Sequence, residues 1–391
     1  MKKILSIVLV AIVAFSIGFN AYAAEDGKEE ELKYTFENPA GLEITAASAM
    51  LIEAKTGTVL YCKNDDEQRS PASVTKIMTL LLVCEAVAEE KIALTDTVTV
   101  SAYAASMGGS QVFLEEGESF SVEELIKCTV IASANDAAVA LAELISGNEG
   151  NFVAEMNKRA SELGMKNTAF ENVTGLDDTT KNHFTSAKDI AIMSRELLKH
   201  DIVLKYSSLW QDSIRDGEFT LTNTNRLVRF YEGCNGLKTG STDKAGFCIS
   251  ASAKRDNMQL IAVIMGADSR DVRNTEARAL LDYGFSNYAL YEKEERPLES
   301  VRVKGGVADE VPVYAESFCC VVNRGELKKI EEFYEIPETL TAPIGKNESV
   351  GKITFKIADR TVGECHIRAK EDVSRVNFLI LLKRIIQNVM K

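Results

Sequence analysis

The chain has 391 residues, 46% of them hydrophobic and 26% charged, with a formal net charge of −13. These proportions exclude disordered, collagen-like and many-span membrane chains, and the length admits two ordinary domains. The acidic balance also excludes a nucleic-acid surface, which needs clustered Lys and Arg facing phosphates.

Lys2 and Lys3 precede an apolar run from Ile4 to Phe19, and Ala21-Tyr22-Ala23 places small residues at a cleavage position. This is the layout of a secretory signal peptide over 1–23, so the chain is expected to be exported; an uncleaved anchor is the alternative. A polar, acidic extension follows over 24–43. One large domain is expected over 44–287. It opens with strands at 47–54 and 58–63, a hairpin turning at Lys55-Thr56-Gly57. Apolar residues then recur at helical spacing over 73–88, in two stretches within 122–145, and over 152–163 and 187–199. Strand patterns return at 246–254 and 260–266, and a helix over 275–283 closes the domain. Strands, an all-helical middle and more strands make an α+β domain, an antiparallel sheet faced by helices.

The Glu-rich stretch with Pro297 over 288–300 reads as a charged linker. Short β-rich runs over 301–370, broken by Gly305-Gly306, Pro312, Pro343 and Gly345, read as a small all-β domain. Over the tail, 371–391, a helical wheel gathers Phe378, Leu379, Leu382, Ile385, Ile386, Val389 and Met390 on one face. Lys383, Arg384, Gln387, Asn388 and Lys391 occupy the other. The cations leave the run too interrupted to span a bilayer. It is expected to lie as an amphipathic helix in the interface, at the outer face of the cytoplasmic membrane. Packing on the protein or on another subunit is the alternative.

Eight cysteines in an exported chain permit disulfides, but several fall in apolar runs and are expected to be mostly free, buried thiols. No C-x-x-C pair occurs, and His183, His200 and His366 are scattered, so neither a metal nor an organic cofactor is expected.

Three short patterns carry chemistry only in combination. Ser-x-x-Lys occurs at Ser73/Lys76, Ser241/Lys244 and Ser349/Lys352; Lys-Thr-Gly occurs at Lys55 and Lys238; Ser-x-Asn occurs at Ser133/Asn135 and Ser146/Asn148. Context separates them. Ser73 opens a strong helix with Lys76 one turn along the same face, and a helix N-terminus suits a developing anion. Ser133-Ala134-Asn135 lies between two apolar helices, and Lys238-Thr239-Gly240 precedes a strand. The remaining copies lie in turns, loops or strand sequence. A serine hydroxyl attacks only with a base in reach. With no histidine near any motif, that base is Lys76, provided burial and a neighbouring cation lower its pKa from about 10.4 by roughly three units. Lys238 supplies the cation.

Through Ser70-Pro71-Ala72-Ser73-Val74-Thr75-Lys76, Ser133-Ala134-Asn135-Asp136-Ala137-Ala138, Asn172-Val173-Thr174-Gly175-Leu176 and Gly236-Leu237-Lys238-Thr239-Gly240-Ser241-Thr242, the sequence resembles the penicillin-binding serine D,D-peptidases and serine β-lactamases. The likeness is strongest to the low-molecular-weight D-alanyl-D-alanine carboxypeptidases and covers nearly the whole mature chain. It implies a β-lactamase/transpeptidase-like domain, a small all-β domain and an amphipathic C-terminal helix. The implied substrates are peptidoglycan stem peptides ending in D-Ala-D-Ala, cut through an acyl-serine, with β-lactam antibiotics as covalent inhibitors. Ser73 is the implied nucleophile, Lys76 its base and Ser133 a proton relay. Asn135, Lys238, Thr239, Gly240, Ser241 and Arg273 are implied to bind substrate. The oxyanion hole would be the N–H groups of Ser73 and Ser241, with Lys238 and Thr239 near the terminal carboxylate. Arg273 is either a second carboxylate partner or a solvated arginine. Ala134 stands where many relatives have glycine, which is tolerable if the backbone there is not left-handed.

Three other readings are weighed against this one. A β-lactamase of the kind that uses a loop Glu-x-x-Leu-Asn is disfavoured, because Glu171 lacks the rest of that pattern. A D,D-endopeptidase carries the same motifs. A binding module without turnover would require some of these residues to be missing.

Overall fold

The computed structural model describes residues 32–34, 41–178 and 180–389. The expected signal segment 1–23, most of the extension, and Met390 and Lys391 lie outside the described residues.

The first long strands are Ser48–Glu53 (β1) and Thr58–Lys63 (β2), followed by the helices Lys76–Ala88 (α1), Val122–Ile131 (α2), Asn135–Ser146 (α3), Glu149–Glu162 (α4) and Ala187–Leu197 (α5). Cys234–Thr242 (β3), Gly246–Arg255 (β4) and Met258–Ala267 (β5) then lead into Arg270–Asn287 (α6). The sheet runs β2-β1-β5-β4-β3 with antiparallel neighbours, and Lys33–Tyr34 adds a short parallel pairing beyond β2. Two strands from the start of the domain are therefore completed by three from its end.

Alternate side chains of a strand face opposite ways, and both faces of this sheet are covered. Met50, Ile52, Ile261, Val263 and Met265 pack into the cluster shared with the helical middle. Ala49, Leu51, Leu260, Ala262 and Ile264 pack with Leu280, Leu281 and Phe285 of α6. Helix starts follow their caps: Ser121 and Glu124 form a reciprocal capping box at α2, and Ser269 accepts from Val272 N–H at α6.

Local expectations fail at three places. Residues 72–75 form a 3-10 turn, so α1 begins at Lys76, three residues after Ser73. Lys238-Thr239-Gly240 lies inside β3 and not before a strand, because two glycines and a buried lysine hide the strand's alternation. The stretch expected as a linker, 288–300, holds Tyr288–Lys293 (β6) and the start of Arg296–Lys304 (β7); its charges take half-buried or exposed positions on these strands and in the two residues between them.

Beyond it follow Glu310–Ala315 (β8), Phe318–Asn323 (β9), Ile330–Glu335 (β10), Thr339–Thr341 (β11), Ser349–Ile357 (β12) and Arg360–Ala369 (β13). One sheet is ordered β10-β12-β13-β8-β7-β11, while β6 pairs separately with β9. Val311, Val313, Ile353, Phe355 and Ile367 form its core. The last helix is Phe378–Val389 (α7). Among the described residues no helix is long and apolar enough to cross a membrane. Cys84, Cys128, Cys234, Cys248 and Cys365 are buried, whereas Cys62, Cys319 and Cys320 are partly exposed.

Candidate active site

The 3-10 turn bearing Ser73 is gripped from two sides by glycines. A Cβ on Gly175 would lie 1.8 Å from Ala72 O, and Gly175 itself has φ +81°. A Cβ on Gly240 would lie 2.8 Å from Ser73 N, so only glycine lets β3 approach the turn this closely. Ala72 takes φ +46°, a strained value held by those neighbours. The Gly175 loop braces itself: Asn172 Oδ1 accepts from Thr174 N–H and Gly175 N–H at 3.2 and 2.7 Å, and its Nδ2 donates to Leu176 O at 2.7 Å.

In a 3-10 turn side chains three apart eclipse, which brings Lys76 Nζ to 3.0 Å from Ser73 Oγ. The same nitrogen donates to Asn135 Oδ1 at 2.5 Å and to Thr174 O at 2.8 Å. Lys76 is 0% exposed. Asn135 Nδ2 in turn donates to Gly108 O at 2.6 Å. Across the cleft, Lys238 Nζ donates to Ser133 Oγ at 2.7 Å and to Thr239 O at 2.9 Å, and Thr239 Oγ1 donates to Thr224 Oγ1 at 2.8 Å. Ser241 follows Gly240 on β3 and is exposed. Ser133 is the left-handed residue of its motif, at φ +63°. Ala134 is extended at φ −61°, so alanine in place of glycine carries no strain.

Burial governs the charges. It drives the Lys76 ammonium well below its ordinary pKa, the neighbouring Lys238 cation adds to the effect, and Asp136 opposes it. Burial, then Arg273, lowers Lys238 to about 7. Asp136 is itself buried and accepts the N–H groups of Val112 and Leu114.

Arg273 is 3% exposed, so the solvated reading fails. Its guanidinium donates to Cys248 O and Asn274 Oδ1, and burial followed by Arg270 lowers it to about 10. The expectation that no histidine lies near a motif also fails. His183 sits 2.8 Å from Thr75 Oγ1, inside the Ser-x-x-Lys segment, and its Nδ1 accepts from Glu171 N–H at 3.0 Å. Thr174, Asp136 and His183 were missed as partners; Thr174 and Asp136 lay in stretches the motifs had marked, whereas His183 did not. Most duplicate motifs stand apart from this cluster: Lys55 pairs with Glu292, Lys352 with Glu335 and Glu364, and Ser146 bonds Glu155, whereas Ser241 of the Ser241/Lys244 copy follows Gly240 on β3.

A half-buried serine on a buried lysine, with a second lysine–serine pair opposite, is chemistry for acyl transfer without histidine. Comparison with known proteins agrees. The family described as D-alanyl-D-alanine carboxypeptidase matches residues 33–269, and the family of the penicillin-binding protein 5 C-terminal domain matches 285–375. The carboxypeptidase DacF of Bacillus subtilis is 42% identical, over 98% of this chain and 98% of its own length. Penicillin-binding protein 5 from Haemophilus influenzae superposes with a TM-score of 0.76 at 32% identity, covering 87% of this chain and all 100% of that one. Penicillin-binding protein D2 from Listeria monocytogenes in its ampicillin-bound form gives 0.58 at 30% identity, covering 62% of this chain and 99% of that one. On its motifs, its fold and these matches, the chain belongs to the D-alanyl-D-alanine carboxypeptidase family.

Proposed function

We propose that Ser73 is the nucleophile with which this chain, a serine D-alanyl-D-alanine carboxypeptidase acting on peptidoglycan, removes the terminal D-alanine of stem peptides. One observation carries the assignment: the partner set of Lys76. A neutral amine has two N–H donors and one lone pair. Asn135 Oδ1 and Thr174 O take the two donors, and the lone pair is left for the Ser73 hydroxyl. Burial and then Lys238 lower the Lys76 pKa well below its ordinary value, which favours that neutral form.

Lys76 then removes the Ser73 proton as Oγ attacks the carbonyl of the penultimate D-alanine. The oxyanion is held by the N–H groups of Ser73 and Ser241. Ser133, hydrogen-bonded to Lys238, gives its proton to the departing D-alanine amine and takes the one held by Lys76, which leaves Lys76 neutral again. Lys238, Thr239 and Arg273 gather positive charge and a hydroxyl where the terminal carboxylate lies, and Asn135 orients Lys76 and the substrate amide. A water activated by Lys76 hydrolyses the acyl-serine. β-Lactams acylate the same serine, a reading supported by the ampicillin-bound relative from Listeria. The chain works exported, held peripherally at the outer face of the cytoplasmic membrane. Supporting this, Phe378, Leu379, Leu382, Ile385 and Ile386 of α7 are exposed, which an apolar surface would relieve.

The test compares wild type with Ser73→Ala, using a fluorescent penicillin and diacetyl-L-lysyl-D-alanyl-D-alanine. Stable labelling and D-alanine release are expected, both lost in Ser73→Ala. Labelling without release points to cross-linked substrates and the endopeptidase, and absence of labelling from folded wild type removes the assignment.

A further inference from the structure

The oxyanion hole assigned above is assembled from two segments far apart in the chain, and here the inference rests on the proposed function. Ser73 N–H comes from the 3-10 turn and Ser241 N–H from β3. Two backbone donors stabilise a developing oxyanion only while the span between them is fixed, because the gain depends on donors already in place. Close packing at Gly240 sets how near β3 can come to Ser73 N. A packing contact, however, opposes compression far more steeply than separation.

A carboxylate supplies the restraint against separation. Asp177 Oδ2 accepts from Thr242 Oγ1 at 2.5 Å and from Ser70 Oγ at 3.3 Å. Thr242 is the residue after Ser241, and Ser70 lies three residues before Ser73. Ser70 is buried, and Asp177 and Thr242 are half-buried, so these charge-assisted bonds are partly shielded from water. Thr242 Oγ1 also accepts from Ala245 N–H at 3.0 Å, which fixes the direction of the hydroxyl at the turn between β3 and β4. Asp177 is anchored from its own side. It directly follows the Asn172–Leu176 loop, in which Asn172 Nδ2 donates to Leu176 O and Gly175 lies against Ala72 O. The same loop gives Thr174 O to Lys76. One short segment therefore holds the base at one end and, through Asp177, the oxyanion donors at the other.

We propose that Asp177 is a positioning residue for the oxyanion hole: by holding Thr242 and Ser70 on one oxygen, it fixes the distance between the N–H groups of Ser241 and Ser73. Its partners are these two hydroxyls and not Ser73 or Lys76, so it acts through the backbone it restrains. The oxyanion exists only beyond the ground state, so the clamp serves the rate and not the affinity for the peptide. Asparagine at this position retains an acceptor oxygen and much of the clamp, whereas alanine removes it.

The experiment measures kcat and KM for diacetyl-L-lysyl-D-alanyl-D-alanine, and the inhibition constant of a peptide boronic acid ending in the boron analogue of D-alanine. The tetrahedral adduct of that boronic acid with serine places an oxygen in the oxyanion hole. Active sites are counted by exhaustive labelling with fluorescent penicillin, so loss of folded protein does not enter kcat. Acylation and hydrolysis of the acyl-serine both pass through this oxyanion, so kcat falls whichever step limits turnover. In Asp177→Ala, kcat per labelled site is expected to fall about tenfold with KM little changed, less than the roughly 10²–10³ lost when a donor is removed outright. Boronate affinity should fall by the same factor, and Asp177→Asn should recover most of both. Thr242→Val, which frees the same oxygen from β3, should also lower kcat, and adding it to Asp177→Ala should cost little more. If Asp177→Ala is not labelled, Asp177→Asn and Thr242→Val carry the test. A wild-type kcat per site in Asp177→Ala or Thr242→Val, a loss carried by KM alone, or additive losses in the double variant overturn the clamp. Absence of peptide hydrolysis by labelled wild type overturns the carboxypeptidase reading beneath it, and the boronate comparison then decides the clamp by itself.

Discussion

His183 has a partner on each ring nitrogen, and the two partners define its state. Nδ1 accepts from Glu171 N–H, so the proton of the neutral ring is on Nε2 and is donated to Thr75 Oγ1. Phe170 stacks edge-on at 5.7 Å. Burial is the chief cause of the low pKa, about 4 against an ordinary 6.5; Glu171 and Asp177 pull it up, and Lys244 pushes it further down. A protonated ring would turn its Nδ1–H against the Glu171 N–H. The unfolded chain therefore binds more protons than the native one between pH about 4 and 6.5. The native state keeps its full stability above that window and loses it as pH falls through it, by roughly 3 kcal/mol at most. His183→Gln should start less stable at pH 7 but lose less between pH 7 and 5 than wild type. Urea midpoints at the two pH values measure this, and parallel losses would assign the acid sensitivity elsewhere.

At the scale of elements, the site is an arrangement of backbone approaches as much as of side chains. The 3-10 turn at Ser73 is set by a helix on one side, the Asn172–Leu176 loop on another and β3 on a third. Gly240 is the contact with β3. Its replacement by alanine would push the strand from Ser73 N, the N–H assigned to the oxyanion, while the sheet pairing of β3 with β4 stays intact. A displacement near 1 Å at a reacting centre costs about a hundredfold in rate. Gly240→Ala should therefore slow penicillin acylation by about that factor with little change in melting temperature. Stopped-flow labelling reads the rate, and a rate equal to wild type would free Gly240 from this role. The same elements show what local pattern reading misses. β3 carries two glycines and a buried lysine in nine residues, so period-two alternation was invisible there. By contrast, β1 and β5, apolar along their central residues, and the amphipathic α4 and α5 were legible to within a few residues.

Across the whole molecule, the catalytic and β-rich parts share structure and not merely a tether. Leu290 of β6 sits in the cluster with Leu260, Leu281 and Phe285, and β9 pairs along β6. Arg324 donates to Phe285 O at the end of α6. Charged residues over 288–300 suggested a linker because a strand with one solvated face carries them as a linker does. The tail contrasts with this join. Phe378 and Leu379 are 75% and 72% exposed, more than Phe113 at 63% and Phe230 at 61%, the most exposed large apolar side chains elsewhere among the described residues. A chain ending before Asp372 should lose at least about tenfold in partitioning to vesicles containing anionic lipid, with penicillin labelling intact. Sedimentation with vesicles decides it; equal pelleting of both chains would exclude the tail as the attachment.

The sequence by itself determined the α+β order of elements, the three motifs in their working sequence and the amphipathic tail. These signals are local, repeating over two to four residues or fixed within a motif, and they survive without a partner. Tertiary structure alone decided which charges are real. The lowered pKa of Lys76 comes from burial and from Lys238, 162 positions away in the numbering, and Lys238 reaches a serine 105 residues before it. His183 meets Thr75 across 108 residues with no spacing to announce it. Arg273, equally plausible in solvent from the sequence, is buried near Lys238 once α6 packs on the sheet. Desolvation and Coulomb interaction act through space, and a linear pattern does not carry distances between segments that meet only on folding.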